Sequence, residues 1–350
     1  MNPGRLHLRV FWDGEWVTGV EIGNSRPQSA RLLNGRTPDE ARSLIPLLFS
    51  ACRHGQSAAA HGALARAEGS EHHARGIALA VETAQEHLWR LLLDWPKVLG
   101  YEPDLNTYAH WHKRLGEVAT GGDWGDAGWD LKKFCEQTFF GMDAAAWLAT
   151  DGPSSFPVLN TLMTSRWEKP AHALTHPSLL PAGLTARDYY RAMFMELDTG
   201  YARYPTWNGA AAETGPYARW HRAPPVAGST PIAGRLQARL AELASVVQEA
   251  AGQIPPQPRC DAYSPEAGSG FSVAETARGL LVHWARLEQG RIADYLIVAP
   301  TEWNFHPAGA FRAGLVGLAA PDSDTVERQA RQLALALDPC VPYDIDVRLQ

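Results

Sequence analysis

The chain has 350 residues, 45% of them hydrophobic and 20% charged, enough to bury a sizeable core as one large domain or two ordinary ones, and its composition is not that of a disordered chain. A formal net charge of −6 and a pI near 6.1 give no basic footprint for nucleic acid or an anionic membrane surface. Four cysteines make no disulfide framework, no run approaches the roughly 20 apolar residues of a membrane span, and the first residues lack a secretory pattern, so a cytoplasmic protein is expected.

In chain order, residues 5–22 alternate apolar and polar about Asp13-Gly14, which predicts a β-hairpin. Thr37-Pro38 followed by Asp39 and Glu40 supplies a cap, a first-turn proline and acids at a helix N-terminus; that helix is expected to run to about Cys52. An Ala-rich helix is expected from near Gln56 to around Gly69. Residues 73–99 repeat apolar side chains at helical spacing and read as the structural spine. Residues 121–129 read as a Gly/Trp loop, 131–148 as an amphipathic helix carrying Cys135, and 149–183 as mostly irregular. A Thr-capped helix is expected over 185–197, a long ordered loop over 200–231, and a helix from Ile232 to Ala251, ended by Gly252 and Pro255-Pro256.

Residues 278–287 and 291–299 alternate on either side of Glu288-Gln289-Gly290, predicting a second hairpin. Pro300-Thr301-Glu302-Trp303-Asn304, a loop, a short helix near 308–318 and a capped helix from about Ser323 to Leu337 complete the order. The expected fold class is α+β and mostly helical, one domain over 1–350. Its parts are a hairpin region at 5–31, a helical core at 32–148, an irregular and helical middle at 149–231, and the helix, hairpin and tail of 232–350.

The chemistry centres on thiols. Cys340 follows Asp338-Pro339, where proline stops the run ending at Leu337, and Cys52 follows another apolar approach near the other end of the chain. The two are expected to meet. Two thiols are too few for a closed zinc site, and a lone cysteine is usually buried without metal, so Cys135 and Cys260 read as core or incidental. His54 stands two residues from Cys52. His110 and His112 flank Trp111 on what reads as a strand or loop edge, with no third ligand nearby. Arg278, in the turn before the second hairpin, is placed either to face an anion or to sit in a salt bridge. No phosphate loop, dinucleotide fingerprint, nucleophile elbow or zinc-protease motif is present.

Five stretches in order resemble the large subunit of nickel-iron hydrogenases: residues 32–52, ETGPYAR at 213–219, residues 275–304 with ETARG and PTEWN, the helix before the tail, and DPC at 338–340. The resemblance implies that family's fold. In the family, two C-x-x-C pairs supply four thiolates to nickel, and the second cysteine of each pair bridges to an iron carrying cyanide and carbon monoxide. Here Phe49 stands for the first cysteine of the first pair and Cys52 matches the second. Cys340 matches the first of the second pair, Tyr343 replaces its partner, and Asp346 stands where the family has its final histidine. Gln56 replaces another family histidine, and Ala277 replaces the proline before the arginine that Arg278 matches, a residue near the diatomic ligands in the family.

A member with two of four cysteines is similar to the HupK-type accessory branch, which implies hydrogenase maturation and no enzymatic activity. The implied role is a scaffold or carrier for iron with its cyanide and carbon monoxide ligands, held transiently, with nickel not expected. Cys52 and Cys340 are then the metal ligands, with Arg278 and His54 as cofactor-binding neighbours. The implied partners are a small HypC/HupF-type chaperone, a HypD-type iron-cofactor assembly protein and the hydrogenase large subunit; neither nucleic acid nor membrane is among them. A metal-free docking protein and a degenerate nickel-binding redox enzyme remain open alternatives.

Overall fold

The computed structural model describes residues 4–71, 76–152, 154–164, 178–193, 197–227 and 231–350; the expectations for 73–75, 165–177, 194–196 and 228–230 lie outside the described residues. The first part of the chain comprises β1 (Leu6–Trp12), β2 (Val17–Asn24), α1 (Pro38–Leu48), α2 (Arg53–Ala67), α3 (Gly76–Trp89), α4 (Trp95–Val98), α5 (Leu105–Gly121), α6 (Gly125–Cys135) and α7 (Ala144–Leu148). The middle holds α8 (Pro157–Thr164), β3 (Ser178–Leu179), α9 (Ala186–Met193), β4 (Ala212–Glu213), α10 (Pro216–Trp220) and α11 (Pro231–Ala250). The last part holds β5 (Cys260–Tyr263), β6 (Ser269–Thr276), β7 (Gly279–Glu288), β8 (Arg291–Val298), α12 (Pro300–Asn304), α13 (Ala310–Leu315), α14 (Ser323–Leu337) and β9 (Tyr343–Leu349).

Both expected hairpins form, for local reasons. Asp13 accepts the N–H groups of Glu15 and Trp16 and so closes the first turn, while Leu6, Leu8 and Val10 alternate inward with His7 and Arg9 outside. In the second, Gln289 and Gly290 both take positive φ, 51° and 72°, which fits a two-residue turn to the twist of the strands. Each hairpin is part of a larger sheet. The tail forms β9, which pairs parallel with β1 from Leu6↔Tyr343 to Trp12↔Leu349, so the two ends of the described chain share one sheet, ordered β2-β1-β9. Residues 260–276, for which no strand is expected, add β5 and β6 to make the antiparallel sheet β5-β6-β7-β8.

Helix ends follow their capping chemistry. Thr37 and Glu40 form a reciprocal capping box at α1, and Asp104, Asp143 and Asp322 each accept backbone N–H groups at the start of α5, α7 and α14. Of the stretch read as one helix from residue 73 to 99, residues 76–98 form a rod with a π-turn at Arg90–Asp94 between α3 and α4. It is not the spine. That place belongs to α11, which is buried on all sides with α3, α6, α7, α8, α10 and α14 around it; Arg235, Arg239 and Glu242 make its sequence look amphipathic but are themselves buried.

Several further expectations are corrected. His110 and His112 lie on α5, where residues two apart point to different sides, and His112 Nδ1 meets the Tyr108 hydroxyl at 3.2 Å. Residues 125–129 of the supposed Gly/Trp loop belong to α6. The 131–148 helix is interrupted by a π-turn at Glu136–Phe140 and by Gly141, whose φ of 72° ends it. The stretch 149–183 contains α8, and the loop 200–231 contains β4 and α10. Among the described residues no helix is long and apolar enough to cross a membrane.

The large sheet receives α2 at unusually close range. A Cβ on Gly270 of β6 would sit 1.9 Å from the Ala63 carbonyl oxygen and 2.6 Å from the Ala67 nitrogen, and one on Gly62 of α2 would sit 2.5 Å from Ser272 Oγ. The helix that begins just after Cys52 is therefore fixed by backbone approaching backbone. Gly270→Ala is expected to destabilise the protein by about 3 kcal/mol, because neither element can yield without losing its own hydrogen bonds; urea unfolding checks this.

Candidate functional site

Cys52 occupies a break between two helices. α1 ends at Leu48, a single 3-10 turn covers Ser50–Cys52, and α2 starts at Arg53 with Cys52 as its N-cap residue. The Cys52 N–H donates to the Phe49 carbonyl at 3.2 Å. The next free amides of α2, those of His54 and Gly55, donate to the Glu82 carboxylate of α3 at 2.7 and 2.9 Å, and burial pushes the Glu82 pKa up to about 7.

Cys340 is placed from the other end. α14 stops at Asp338, whose φ of 53° turns the chain, and Pro339 prevents the helix from resuming. The Cys340 N–H donates to Thr301 Oγ1 at 3.2 Å, and the same hydroxyl lies 3.1 Å from the Cys340 sulfur. The two thiols come to one place. Burial, and then the neighbouring Cys340 sulfur, push the Cys52 thiol well above its ordinary range, and Arg278 opposes them. Both cysteines are free and partly buried.

Two guanidiniums stand close enough to interact with both sulfurs. Arg278 donates to Glu86 of α3 at 2.6 Å, and its Nε lies 3.4 Å from Asp338. Arg26, beyond β2, grips both oxygens of Glu302 at 2.6 and 2.8 Å. Asp338 gathers three cations, with Arg90 at 2.6 Å, Arg239 at 3.0 Å and Arg278; they hold its carboxyl well below the usual range even though it is buried.

The network continues through the motif stretches at 213–219 and 275–304 to the end of α14. Arg239 meets His87 Nδ1 at 3.0 Å, His87 Nε2 meets Glu242 at 2.8 Å, and Glu242 is gripped by Arg219 at 2.6 and 2.9 Å. Arg219 also binds Glu275 and the Thr276 carbonyl. Glu213 pairs with Arg235; the Thr214 N–H donates to Asn304, and Asn304 Nδ2 donates to the Leu337 carbonyl at the end of α14. Gly215 and Gly279 take φ of 119° and 131° where these segments touch: a Cβ on Gly279 would lie 2.5 Å from Thr214 Cγ2.

Of the residues singled out from sequence, Cys52, Cys340 and Arg278 converge. His54 takes part through its backbone, while its ring Nε2 accepts a hydrogen bond from Arg53 at 3.3 Å; burial and Arg53 lower its pKa. Tyr343 opens β9 and packs on the main core, and Asp346 pairs with Arg348 at 2.9 Å on the outer strand, so neither takes the place of a missing ligand. Among the described residues no group of three or more His, Cys, Asp and Glu could hold a metal ion. The donor set does not fit a four-thiolate nickel-iron centre. Two thiols flanked by two guanidiniums do fit a metal fragment that brings its remaining ligands with it. Sequence reading misses Arg26, Thr301, Glu302 and the α3 carboxylates. A signal existed for the last: Glu82, Glu86, Arg90 and Asp94 recur every four residues in an otherwise apolar helix, a charged stripe on a buried rod.

Comparison with known proteins agrees with this construction. Residues 226–342 match the nickel-dependent hydrogenase family. The fold matches that of the Ni-Fe-Se hydrogenase from D. vulgaris Hildenborough with a TM-score of 0.63 over 94% of each chain, at 14% identity, which is a likeness of fold alone. The chain thus has the fold of a nickel-dependent hydrogenase large subunit. It is also 34% identical to the hydrogenase expression/formation protein HoxV of Cupriavidus necator over 93% of this chain and 92% of that one. To the corresponding proteins HupK of Azotobacter vinelandii and of Rhizobium leguminosarum it is 31% identical, with at least 98% of every chain covered. The chain belongs to the HupK/HoxV family of hydrogenase expression/formation proteins.

Two predictions follow from the network. Asp338→Asn keeps the side-chain shape and tolerates the positive φ but leaves three buried arginines short of a counter-charge; a loss of about 3–5 kcal/mol is expected in urea unfolding. His87 is held neutral with a pKa lowered from 6.5 to about 4, first by burial, with Arg239 opposing a proton on Nδ1. A depressed folded-state value means that its contribution is complete above pH 6.5 and disappears as the pH falls to about 4, a loss of about 3 kcal/mol. His283, lowered to about 3, weakens the fold over the same window, so the check compares the urea midpoints of wild type and His87→Gln from pH 7 to 4; the variant is expected to show the shallower fall.

Proposed function

We propose that this protein serves hydrogenase maturation as a carrier, holding an iron fragment with cyanide and carbon monoxide ligands on Cys52 and Cys340 before the fragment passes to the hydrogenase large subunit. The observation that carries this reading is the meeting of two free thiols within reach of two guanidiniums, those of Arg26 and Arg278, in the fold of a hydrogenase large subunit. The relatives named for hydrogenase expression and formation supply the biological setting. The partners that fit are a HypC/HupF-type chaperone and a HypD-type assembly protein as donors.

Two thiolates suffice for iron whose other positions are filled by strong-field diatomic ligands, and a site with half the usual thiolates releases its cargo more easily than a four-thiolate acceptor. Thr301 orients the Cys340 sulfur, Arg278 offers N–H groups to a cyanide nitrogen, and His54 flanks the approach to Cys52 through the start of α2. Nickel does not suit this donor set, with Phe49 and Tyr343 at the two lost sulfur positions, and hydrogen-splitting catalysis is not part of the proposal.

The test is infrared spectroscopy of the protein purified without oxygen from cells that contain the maturation proteins, with Cys52→Ala and Cys340→Ala beside it. Bands of metal-bound cyanide and carbon monoxide in the wild type, absent from both variants, are the expected result. A wild-type spectrum without bands, from protein that carries no iron yet still captures its maturation partners, would replace the carrier with a metal-free docking protein.

A further inference from the structure

Beside the thiols lies a feature that nothing above employs, a small cleft of about 80 Å³ on the side of Phe49. Its walls include Arg26, Arg31, Phe49, Arg203, Tyr295 and Glu302. The wall is tied to both cysteines: the Phe49 carbonyl accepts the Cys52 N–H, Glu302 follows Thr301, the residue that holds Cys340, and Arg26 is close enough to interact with both sulfurs. Arg26 and Glu302 are paired through both carboxylate oxygens, line the cleft, and are only 15% and 11% exposed. Three arginines against one glutamate make the cleft electropositive, with Arg203 fixed by donation to the Asn24 carbonyl at 2.6 Å.

We propose that this cleft is the way in to the two thiols, and that Arg26, closed on Glu302, is both its door and a binding residue for the cargo, swinging from the carboxylate to donate its N–H groups to a cyanide nitrogen. The inference rests on the carrier reading for the identity of the cargo. The chemistry is ligand exchange without redox. The iron enters and remains ferrous; two iron–sulfur bonds form to Cys52 and Cys340 as the bonds to the donor's ligands break, and the two thiol protons pass to those ligands or to water. Cyanide presents a hydrogen-bond acceptor outward, which a guanidinium matches and an aromatic wall does not. Arg26 and Arg278 then approach the cargo from two elements, the segment after β2 and the β6–β7 turn, and Glu302 released from Arg26 faces the cleft and its solvent.

The experiment uses the full chain prepared without oxygen from cells containing the maturation proteins. Arg26→Ala/Glu302→Ala removes both members of the pair and so strands no buried charge, whereas Arg26→Lys keeps the charge and loses the two-pronged geometry. One readout is the iodoacetamide alkylation rate of Cys52 and Cys340 in metal-free protein, with fully buried Cys135 as the folding control; the other is iron per chain together with the cyanide stretching bands. Expected are an increase of about tenfold or more in alkylation of both thiols in the double variant with Cys135 unchanged, loss of most of its iron, and shifted cyanide bands in Arg26→Lys. If the wild type is loaded and the double variant alkylates at the wild-type rate with full iron and unmoved bands, the door is overturned and the carrier reading stands. If the wild type never carries iron or cyanide, both the carrier reading and the assigned cargo fall; an alkylation rate that is also unchanged removes the door as well.

Discussion

The structure depends on a carboxylate in an adverse place. Asp338 is buried at the C-terminus of α14, where the helix dipole repels an anion, in a backbone conformation uncommon for a residue other than glycine. It is tolerable only because Arg90, Arg239 and Arg278 converge on it, and these come from three different places: the π-turn after α3, the centre of α11, and the β6–β7 turn. One interaction therefore ties the helical core to the large sheet. Cys340 lies two residues further on, so the position of its sulfur is set by a lock that involves most of the fold.

That dependence explains what could be read from the sequence and what could not. The hairpins at Asp13-Gly14 and Gln289-Gly290 and the capped starts of α1 and α14 are encoded within a few residues of themselves, and they form where expected. The parallel pairing of β9 with β1 joins residues more than 300 apart, and no local pattern reports it. Helix α11 forms where its sequence predicts, but its burial is not local information: the partners of its arginines and glutamate, Glu213, Asp338, His87 and Arg219, come from elsewhere in the chain. Charge marks a surface only when no counter-charge is waiting inside.

The candidate site divides along the same line. Cys52, Cys340 and Arg278 sit in motifs dense enough to be read, whereas Arg26 lies in what looks like an ordinary loop and nothing in the PTEWN stretch names Arg26 as the partner of Glu302; only the fold brings the two together across 276 positions. The two absent thiols also had to be seen in place. Phe49 lines the cleft and Tyr343 packs against the core, so the residues that the resemblance sets at the two missing cysteines have other tasks here.

A buried ionic network of this size is not the cheapest way to hold helices to a sheet, since well-packed apolar residues of similar volume are often as stable or more so. Its advantage is positional. Apolar side chains slide past one another at little cost, whereas Arg239 between Asp338 and His87, or Arg219 between Glu242 and Glu275, loses heavily if either partner moves by an ångström. Under the proposed carrier role, a site of only two thiols has no full set of metal bonds to draw its ligands into register. The register must then come from the protein, and here it comes from charge: Asp338 sets Cys340, Glu82 sets the turn at Cys52, and Arg278 lies between them, bound to Glu86 on the same face of α3 as Glu82.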